Sequence, residues 1–278
     1  MSLSLTSRVT LNNGLSMPRL GFGVYMVSGQ QCRQNVLEAL EAGYRHIDSA
    51  EWYGNESECG DSIRASGIPR QDIFYTSKLM HNTNFERGCK DIRKSIEACG
   101  LGYIDLYLLH GPYPNKQARL DAWRALEDGV ESGLIKSIGV SNFGERHLRE
   151  LFDSNPKIKP VVNQIDLHPF MTRTSLVQFC KEHDIVLQAW GPLARAERWQ
   201  DPTLQSIAKE YERSPAQVLL RWSLQHGYVP LPKSTHVERI KSNAQLWDFE
   251  LSDATMAELD GLDEYLVTDW DPIGDKSV

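Results

Sequence analysis

The chain has 278 residues, with 30 lysines and arginines against 37 aspartates and glutamates, which gives a net charge of -7. An acidic chain lacks the basic face that nucleic acid or an anionic membrane requires, so we expect neither as a partner. Hydrophobic residues make up 41% of the chain and charged residues 24%, values typical of a globular protein. No run of about 18 apolar residues could span a membrane.

Cysteine usage indicates a reducing environment. The five cysteines are odd in number and contain no C-x-x-C pair, which argues against a disulfide framework and against a zinc cluster. The first residues contain no long apolar stretch of the secretory type. We therefore expect free thiols, no metal and a cytoplasmic location.

Predicted strands and helices alternate along the chain. Asn12-Asn13-Gly14 lies between two short apolar segments and predicts a β-hairpin at about residues 9–17. Segments with apolar residues every three or four positions, such as residues 89–99 and 120–131, predict helices between the strands that follow. The eight predicted strands are residues 19–24, 44–48, 73–78, 104–110, 135–140, 161–165, 185–190 and 228–231.

Eight successive strand-plus-helix units predict an α/β fold of the (β/α)8, or TIM-barrel, type. An open doubly wound sheet is the alternative, but Gly21-Phe22-Gly23 lacks the third glycine of the dinucleotide-binding fingerprint. We predict a single domain over residues 1–278, with the hairpin at about 9–17, the barrel at about 19–262 and a tail at about 263–278 that folds over one end of the barrel.

Three local patterns predict helix starts in the last third of the chain. Asp201-Pro202 and Ser214-Pro215 pair a capping side chain with a proline at the first helical position, and Ser214-x-x-Gln217 is a capping box. Thr235-x-x-Glu238 is a second capping box and predicts a helix N-terminus at Thr235.

Polar residues end several of the apolar strands. Asp48, Lys78 and His110 end strands two to four, and Tyr53 follows Asp48. Taken singly, such residues are usually turn formers, solvent-reaching lysines or packing aromatics. The C-terminal ends of barrel strands meet at one mouth, however, and four such residues converging there predict an active site.

These four side chains are suited to delivering a proton. We expect the Lys78 ammonium to lower the pKa of Tyr53, Asp48 to keep the lysine charged, and His110 to orient a carbonyl oxygen or relay the proton. A proton donor for a carbonyl needs a hydride donor, which predicts a nicotinamide nearby. A metal-dependent hydrolase is the weaker alternative, because His46, His81 and His168 form no metal-binding spacing.

Four further sequence motifs are spaced along the chain: residues 48–56, Gly139-Val140-Ser141-Asn142-Phe143, Asn163-Gln164-x-x-x-His168-Pro169, and Leu231-Pro232-Lys233-Ser234 followed by Arg239 and Asn243. The order of these motifs resembles that of the aldo-keto reductase family over about residues 9–263. The segment Trp190-Gly191-Pro192-Leu193 is similar to fungal members, and the short loops resemble the branch of microbial 2,5-diketogluconate reductases and prostaglandin F synthases.

The resemblance implies a monomeric, NADPH-dependent alcohol:NADP+ oxidoreductase that acts on a small-molecule carbonyl substrate. Tyr53 would be the general acid, Lys78 and Asp48 would tune it, and His110 would orient the substrate. The residues that would hold NADPH are Ser141, Asn142, Gln164, Trp190, Gly191, Leu193, Lys233, Ser234, Thr235, Arg239 and Asn243. The adenosine 2′-phosphate would be bound by Lys233, Ser234, Thr235 and Arg239, and a helix N-terminus at Thr235 would favour it. The substrate would lie against Tyr25, Trp52, Met80, His110 and Gly111.

The chain departs from the family pattern at several of these positions. Met80 and Gly111 stand where the family usually has tryptophans, and we expect a wider mouth that also admits bulky ketones or ketoesters. Ser242 replaces a glutamate, Trp190 a tyrosine and Gly191 a serine. A non-catalytic NADPH-binding sensor or accessory subunit on the same barrel is the alternative function.

Overall fold

Eight parallel strands form one sheet, each beside the next along the chain, in the computed structural model, which describes residues 3–277. The backbone N–H groups of Gly21 and Gly23 donate to the carbonyl oxygens of Pro230 and Pro232 at 3.1 and 3.0 Å, so the first and last strands meet and the barrel closes. The strands are β3 (Phe22–Gly23), β4 (His46–Asp48), β5 (Phe74–Leu79), β6 (Ile104–Leu109), β7 (Ile135–Ser141), β8 (Val162–Asp166), β9 (Val186–Trp190) and β10 (Val229–Pro230).

Helices separate the strands and cover the outside of the barrel. The predicted (β/α)8 fold is therefore confirmed, with strand ends that differ from the predicted ones by no more than three residues. The helices are α1 (Gly29–Glu41), α2 (Glu56–Ala65), α3 (Phe85–Cys99), α4 (Lys116–Glu131), α5 (Glu145–Asp153), α6 (Thr174–Glu182), α7 (Pro202–Glu210), α8 (Pro215–Gln225), α9 (Val237–Ser242) and α10 (Asp253–Asp260). Within residues 3–277, no helix is both long and apolar enough to cross a membrane.

The N-terminal hairpin is present and closes one end of the barrel. Its strands β1 (Arg8–Thr10) and β2 (Ser16–Pro18) pair antiparallel. The amide of Asn12 in the turn donates to the carbonyl oxygens of Pro160 and Asp184, just before β8 and β9. Two hairpin side chains enter the barrel and complete an apolar cluster in its lumen: Leu11 and Met17, with Phe74, Leu106, Leu108, Val161, Val162, Val229 and Leu231.

Two of the three predicted helix starts are confirmed. The Asp201 side chain accepts from the backbone N–H of Leu204 at the start of α7. Ser214 and Gln217 form the reciprocal capping box at the start of α8. In both cases a side-chain oxygen satisfies an N–H group that has no partner inside the helix, which explains why these starts can be found from sequence.

The C-terminal tail crosses the opposite end of the barrel, as expected. The backbone N–H of Leu266 donates to the carbonyl oxygen of Phe170 at 2.9 Å, and the hydroxyl of Thr268 donates to the buried Asp166 carboxylate at 3.1 Å. An ion pair of 2.8 Å joins Arg173 to Asp271. These bonds place the tail beside the C-terminal ends of the strands.

Candidate active site

Asp48, Tyr53 and Lys78 meet at the C-terminal end of the barrel. Lys78 is fully buried at the end of β5, and its Nζ donates to Asp48 Oδ2 at 2.7 Å and to the backbone oxygen of Ser49 at 2.8 Å. The third contact is the hydroxyl oxygen of Tyr53 at 3.4 Å. A lysine ammonium has three donors, so these three oxygens satisfy it without water.

The electrostatics of this group differ from expectation in one respect. Burial lowers the pKa of Lys78, against the opposing effect of Asp48. Burial, followed by the charge of Asp48, raises the pKa of Tyr53 well above its ordinary value. The pKa of Tyr53 is therefore raised overall and not lowered as expected, because desolvation of the phenol and the Asp48 carboxylate outweigh the effect of the Lys78 ammonium. Tyr53 is a neutral phenol that keeps its proton.

His110 lies beside the phenol and is neutral at physiological pH. Its ring centroid is 5.6 Å from that of Tyr53, with the rings at 72°. Burial and the nearby Lys78 hold the pKa of His110 well below its ordinary value. A neutral imidazole offers one N–H and one acceptor nitrogen, which suits it to orienting a carbonyl oxygen rather than to carrying an extra proton.

Gln164 connects this group to the far side of the barrel. Its amide nitrogen donates to Asp48 Oδ1 and to the side-chain oxygen of Gln188, each at 2.8 Å. Gln188 is not among the predicted site residues, although a glutamine inside the apolar run of residues 185–190 is a visible signal. Gln188 fixes the orientation of the Gln164 amide and, through it, of the Asp48 carboxylate.

Ser141, Asn142 and Trp190 form a second connected group. The Ser141 hydroxyl and the Asn142 backbone N–H both donate to the carbonyl oxygen of Gln164, at 2.9 and 2.8 Å. The Asn142 amide donates to the carbonyl oxygen of His110 at 3.0 Å and accepts from the Trp190 indole at 2.8 Å. An aromatic face therefore lies beside a set of amide and hydroxyl groups at the barrel mouth.

The proposed phosphate-binding segment differs from its predicted form. The capping box predicted at Thr235 is wrong, because α9 begins at Val237 with His236 as its N-cap and no side-chain cap. The Ser234 hydroxyl accepts from the His236 backbone N–H at 3.1 Å, which makes a turn where the helix was expected. Lys233 and Arg239 lie before and after this turn in the sequence, and both positively charged side chains are exposed.

Comparison with known proteins agrees with this geometry. The sequence model of the Aldo/keto reductase family matches residues 19–264. The chain belongs to the aldo/keto reductase family. It is therefore an oxidoreductase of the carbonyl-reducing class.

Named relatives and a solved structure resemble the chain over nearly its whole length. A 9,11-endoperoxide prostaglandin H2 reductase of Trypanosoma cruzi is 44% identical over 92% of this chain and 91% of its own. A glyoxal reductase of Bacillus subtilis is 42% identical over 95% of each chain. The crystal structure of an aldo/keto reductase from Brucella melitensis superposes with a TM-score of 0.90 and 42% identity, covering 93% of this chain and 100% of that one.

Gly191 shows why this reductase departs from the usual serine at that position. Its φ is +60°, and a Cβ there would lie 2.8 Å from the Asp166 carboxylate. Both the backbone conformation and the lack of space favour glycine. The following residues, with Leu193 half-buried among them, form the loop after β9.

The substrate side of the reductase mouth is lined largely by aromatic rings. Tyr25 packs on Tyr53 with ring centroids 5.0 Å apart, and Trp52 packs on His110 at 5.8 Å. The space next to Gly111 is not open, because a Cβ there would lie 3.1 Å from the Trp270 ring. Trp270 of the tail, which also stacks on Tyr113, thus fills much of the gap expected at this position.

The residues present fit a nicotinamide dinucleotide. The nicotinamide carboxamide needs hydrogen-bond donors and acceptors, and Ser141, Asn142 and Gln164 provide both. The flat nicotinamide ring can stack on the aromatic face of Trp190. Lys233 and Arg239 supply positive charge for a phosphate. Among residues 3–277, no three His, Cys, Asp or Glu side chains are grouped so that they could hold a metal ion.

Proposed function

We propose that this reductase converts aldehydes and ketones to alcohols with NADPH, using Tyr53 as the general acid. The observation that supports it is the neutral Tyr53 phenol, 3.4 Å from the fully buried Lys78 ammonium and edge-on to a neutral His110. NADPH, when bound, supplies the hydride. The chain itself has to orient the carbonyl and deliver one proton to its oxygen.

The contacts suggest a role for each of these side chains. Tyr53 donates its hydroxyl proton to the carbonyl oxygen, and the Lys78 ammonium stabilises the phenolate that remains. Asp48 keeps the buried lysine charged, and Gln164 holds Asp48 in place. His110 contributes a neutral N–H that orients the carbonyl oxygen.

Replacing Tyr53 with phenylalanine tests this assignment. We expect kcat to fall by about 10²–10⁴-fold, because the variant lacks the proton while its ring still packs between Tyr25 and His110. NADPH binding, measured by quenching of tryptophan fluorescence, should change little. More than about a tenth of wild-type kcat would remove Tyr53 from the role of acid. A wild-type protein that binds NADPH but oxidises it with no carbonyl would favour the sensor alternative.

NADPH is proposed over NADH because Lys233 and Arg239 are the positive side chains around the Ser234 turn. A cation paired with a phosphate contributes roughly 1.5–3 kcal/mol. Arg239→Ala should therefore raise the Kd of NADPH by about 10- to 100-fold and leave that of NADH nearly unchanged. Equal losses for both coenzymes would contradict a role in phosphate binding.

The substrate range depends on Trp270 as much as on Gly111 and Met80. Bulky ketones and ketoesters remain proposed substrates, with the Trp270 indole as the wall that limits them. Trp270→Ala should raise kcat/KM for a bulky ketone relative to a small aldehyde, and Gly111→Trp should lower it, because the new indole would have to displace Trp270. An unchanged ratio in both variants would contradict this proposal.

A further inference from the structure

An ion pair crosses the mouth of the barrel between the loop after β9 and the C-terminal tail. The Arg195 guanidinium lies 2.6 Å from a carboxylate oxygen of Asp269. About one third of each side chain is exposed, 36% for Arg195 and 34% for Asp269, so the pair is open to exchange with a solute. Neither side chain has a role in the proposed proton delivery by Tyr53.

One aromatic ring, Tyr25, lies between the Arg195 guanidinium and the proposed acid. The Arg195 guanidinium carbon is 5.6 Å from the centre of the Tyr25 ring, and that ring is 5.0 Å from the ring of Tyr53. The charge of Asp269 contributes, after burial, Asp48 and Tyr25, to raising the pKa of Tyr53. A carboxylate of the chain thus already occupies an anion-binding position beside Arg195 at the barrel mouth.

The backbone around Arg195 is strained. Ala194, Arg195 and Ala196 have φ angles of +46°, +46° and +65°, in the left-handed region that non-glycine residues avoid. Residues held in such conformations cluster at functional sites, where surrounding contacts maintain them. Here the left-handed turn accompanies an Arg195 side chain that extends over Tyr25 to Asp269 on the tail.

We infer that Arg195 binds the carboxylate of an anionic carbonyl substrate, and that Asp269 occupies this position until the substrate displaces it. The inference rests on the proposed reductase function. A guanidinium matches a carboxylate through two parallel hydrogen bonds, so an acid exchanges for Asp269 without loss of bonding. The substrate class is an aldehyde or ketone that carries a carboxylate a few bonds away from the carbonyl.

The coenzyme is the other source of negative charge near this arginine. Arg195 is close enough to Lys233 to contribute, after burial, to lowering the pKa of that lysine. A diphosphate could therefore also attract Arg195. The packing of Arg195 over Tyr25, whose ring contacts Tyr53, favours the substrate. The acid-to-ester ratio and the Kd of NADPH distinguish the two.

Arg195→Gln tests the inference with matched acids and esters. We would measure kcat/KM at saturating NADPH for 4-oxobutanoate and 4-formylbenzoate, and for their methyl esters. The acid-to-ester ratio should fall by about 10- to 100-fold in Arg195→Gln, through KM, because a charged hydrogen-bonded pair is lost. Arg195→Lys should recover part of the ratio. Both substrates are measured on the same variant, so a folding defect cancels.

Asp269→Asn and Arg198→Gln provide the comparison. Asp269→Asn should raise the acid-to-ester ratio, because it removes a competing carboxylate. Arg198 pairs with Glu264 of the tail at 2.5 Å, with the same 36% exposure as Arg195. Arg198→Gln therefore removes a similar ion pair between the same loop and the tail, and it should leave the acid-to-ester ratio unchanged.

Three results would overturn the inference. The first is an unchanged acid-to-ester ratio in Arg195→Gln. The second is an equal loss for acids and esters together with a higher Kd for NADPH by fluorescence, which would assign Arg195 to the coenzyme diphosphate. The third is a wild-type protein that reduces neither acids nor esters, which would contradict the reductase function itself and this inference with it.

Discussion

The two ends of the barrel are filled by opposite kinds of side chain, although the same strands supply both. Strand β5 shows the change most directly, because Phe74, Thr76 and Lys78 alternate along it and all three are buried. Phe74 belongs to the apolar lumen cluster that the hairpin completes with Leu11 and Met17. Lys78, four residues later, donates to Asp48 and Tyr53.

This difference indicates how the protein divides stability and chemistry. Burying Lys78 and Asp48 away from water is costly even as a pair. Burial of apolar side chains at the other end stabilises the fold and offsets that cost. At the polar end, Gln164 and Gln188 hold the charged groups in place. Substitutions at the apolar end should therefore change stability alone, and those at the polar end should change activity as well.

The largest effect is expected from Lys78→Met. It removes the partner of a buried carboxylate and should lower the free energy of unfolding by about 3–5 kcal/mol. It should also abolish reduction. Adding Asp48→Asn should recover most of the stability, because the uncompensated charge is gone, without recovering activity. Urea unfolding and NADPH oxidation measure the two properties, and a double variant no more stable than the single one would contradict this account.

Leu11→Ala is the matching change at the apolar end. Leu11 is buried in the lumen, so its truncation should leave a cavity and cost about 2–5 kcal/mol in the free energy of unfolding. The kcat of the folded protein should stay within about twofold of wild type, since the strands continue unchanged to the mouth. A much larger loss of kcat, in a variant shown to be folded, would mean that the two ends are coupled.

His46 lies between the two ends and should report on pH. Burial lowers its pKa to about 3, and its Nε2 contacts the Thr76 hydroxyl at 3.0 Å. The unfolded chain binds a proton below about pH 6.5 that the folded chain does not, so His46 contributes stability above that pH and loses it as the pH falls, by up to about 1.4 kcal/mol per pH unit.

The measurement for His46 is urea unfolding between about pH 7 and 5, with His46→Gln as the comparison. Glutamine can still bond to Thr76 but does not titrate. We expect the free energy of unfolding to fall more steeply with decreasing pH in the wild type than in His46→Gln. Identical slopes would show that His46 is not the group that responds.

The smallest effect is expected from Ala196→Gly, in the strained loop at the polar end. The φ of +65° at exposed Ala196 suits glycine, so the variant should be about 0.5–1 kcal/mol more stable. Ala98, exposed within α3, is the control, and Ala98→Gly should be less stable by a similar amount. Destabilisation by both variants, in thermal or urea unfolding, would argue against strain at Ala196.

Local patterns in the sequence were sufficient for the barrel and for the polar residues that end its strands. The hairpin, the eight strands and the caps at Asp201 and Ser214 depend on neighbouring residues, so they can be recognised without tertiary contacts. The convergence of Asp48, Lys78 and Tyr53 followed from the topology, because parallel strands present their C-terminal ends together.

Contacts between distant segments decided the rest. Trp270 fills the space beside Gly111, and Asp269 pairs with Arg195, although these tail residues lie far along the chain from their partners. Thr235 does not cap a helix, because the Ser234 hydroxyl accepts from the His236 backbone N–H and α9 begins only at Val237. The sequence by itself determined the barrel and the polar residues at its mouth, since periodicity and strand order are local properties. Only the tertiary structure decided the shape and charge of that mouth, because both depend on side chains brought together from separate loops and the tail.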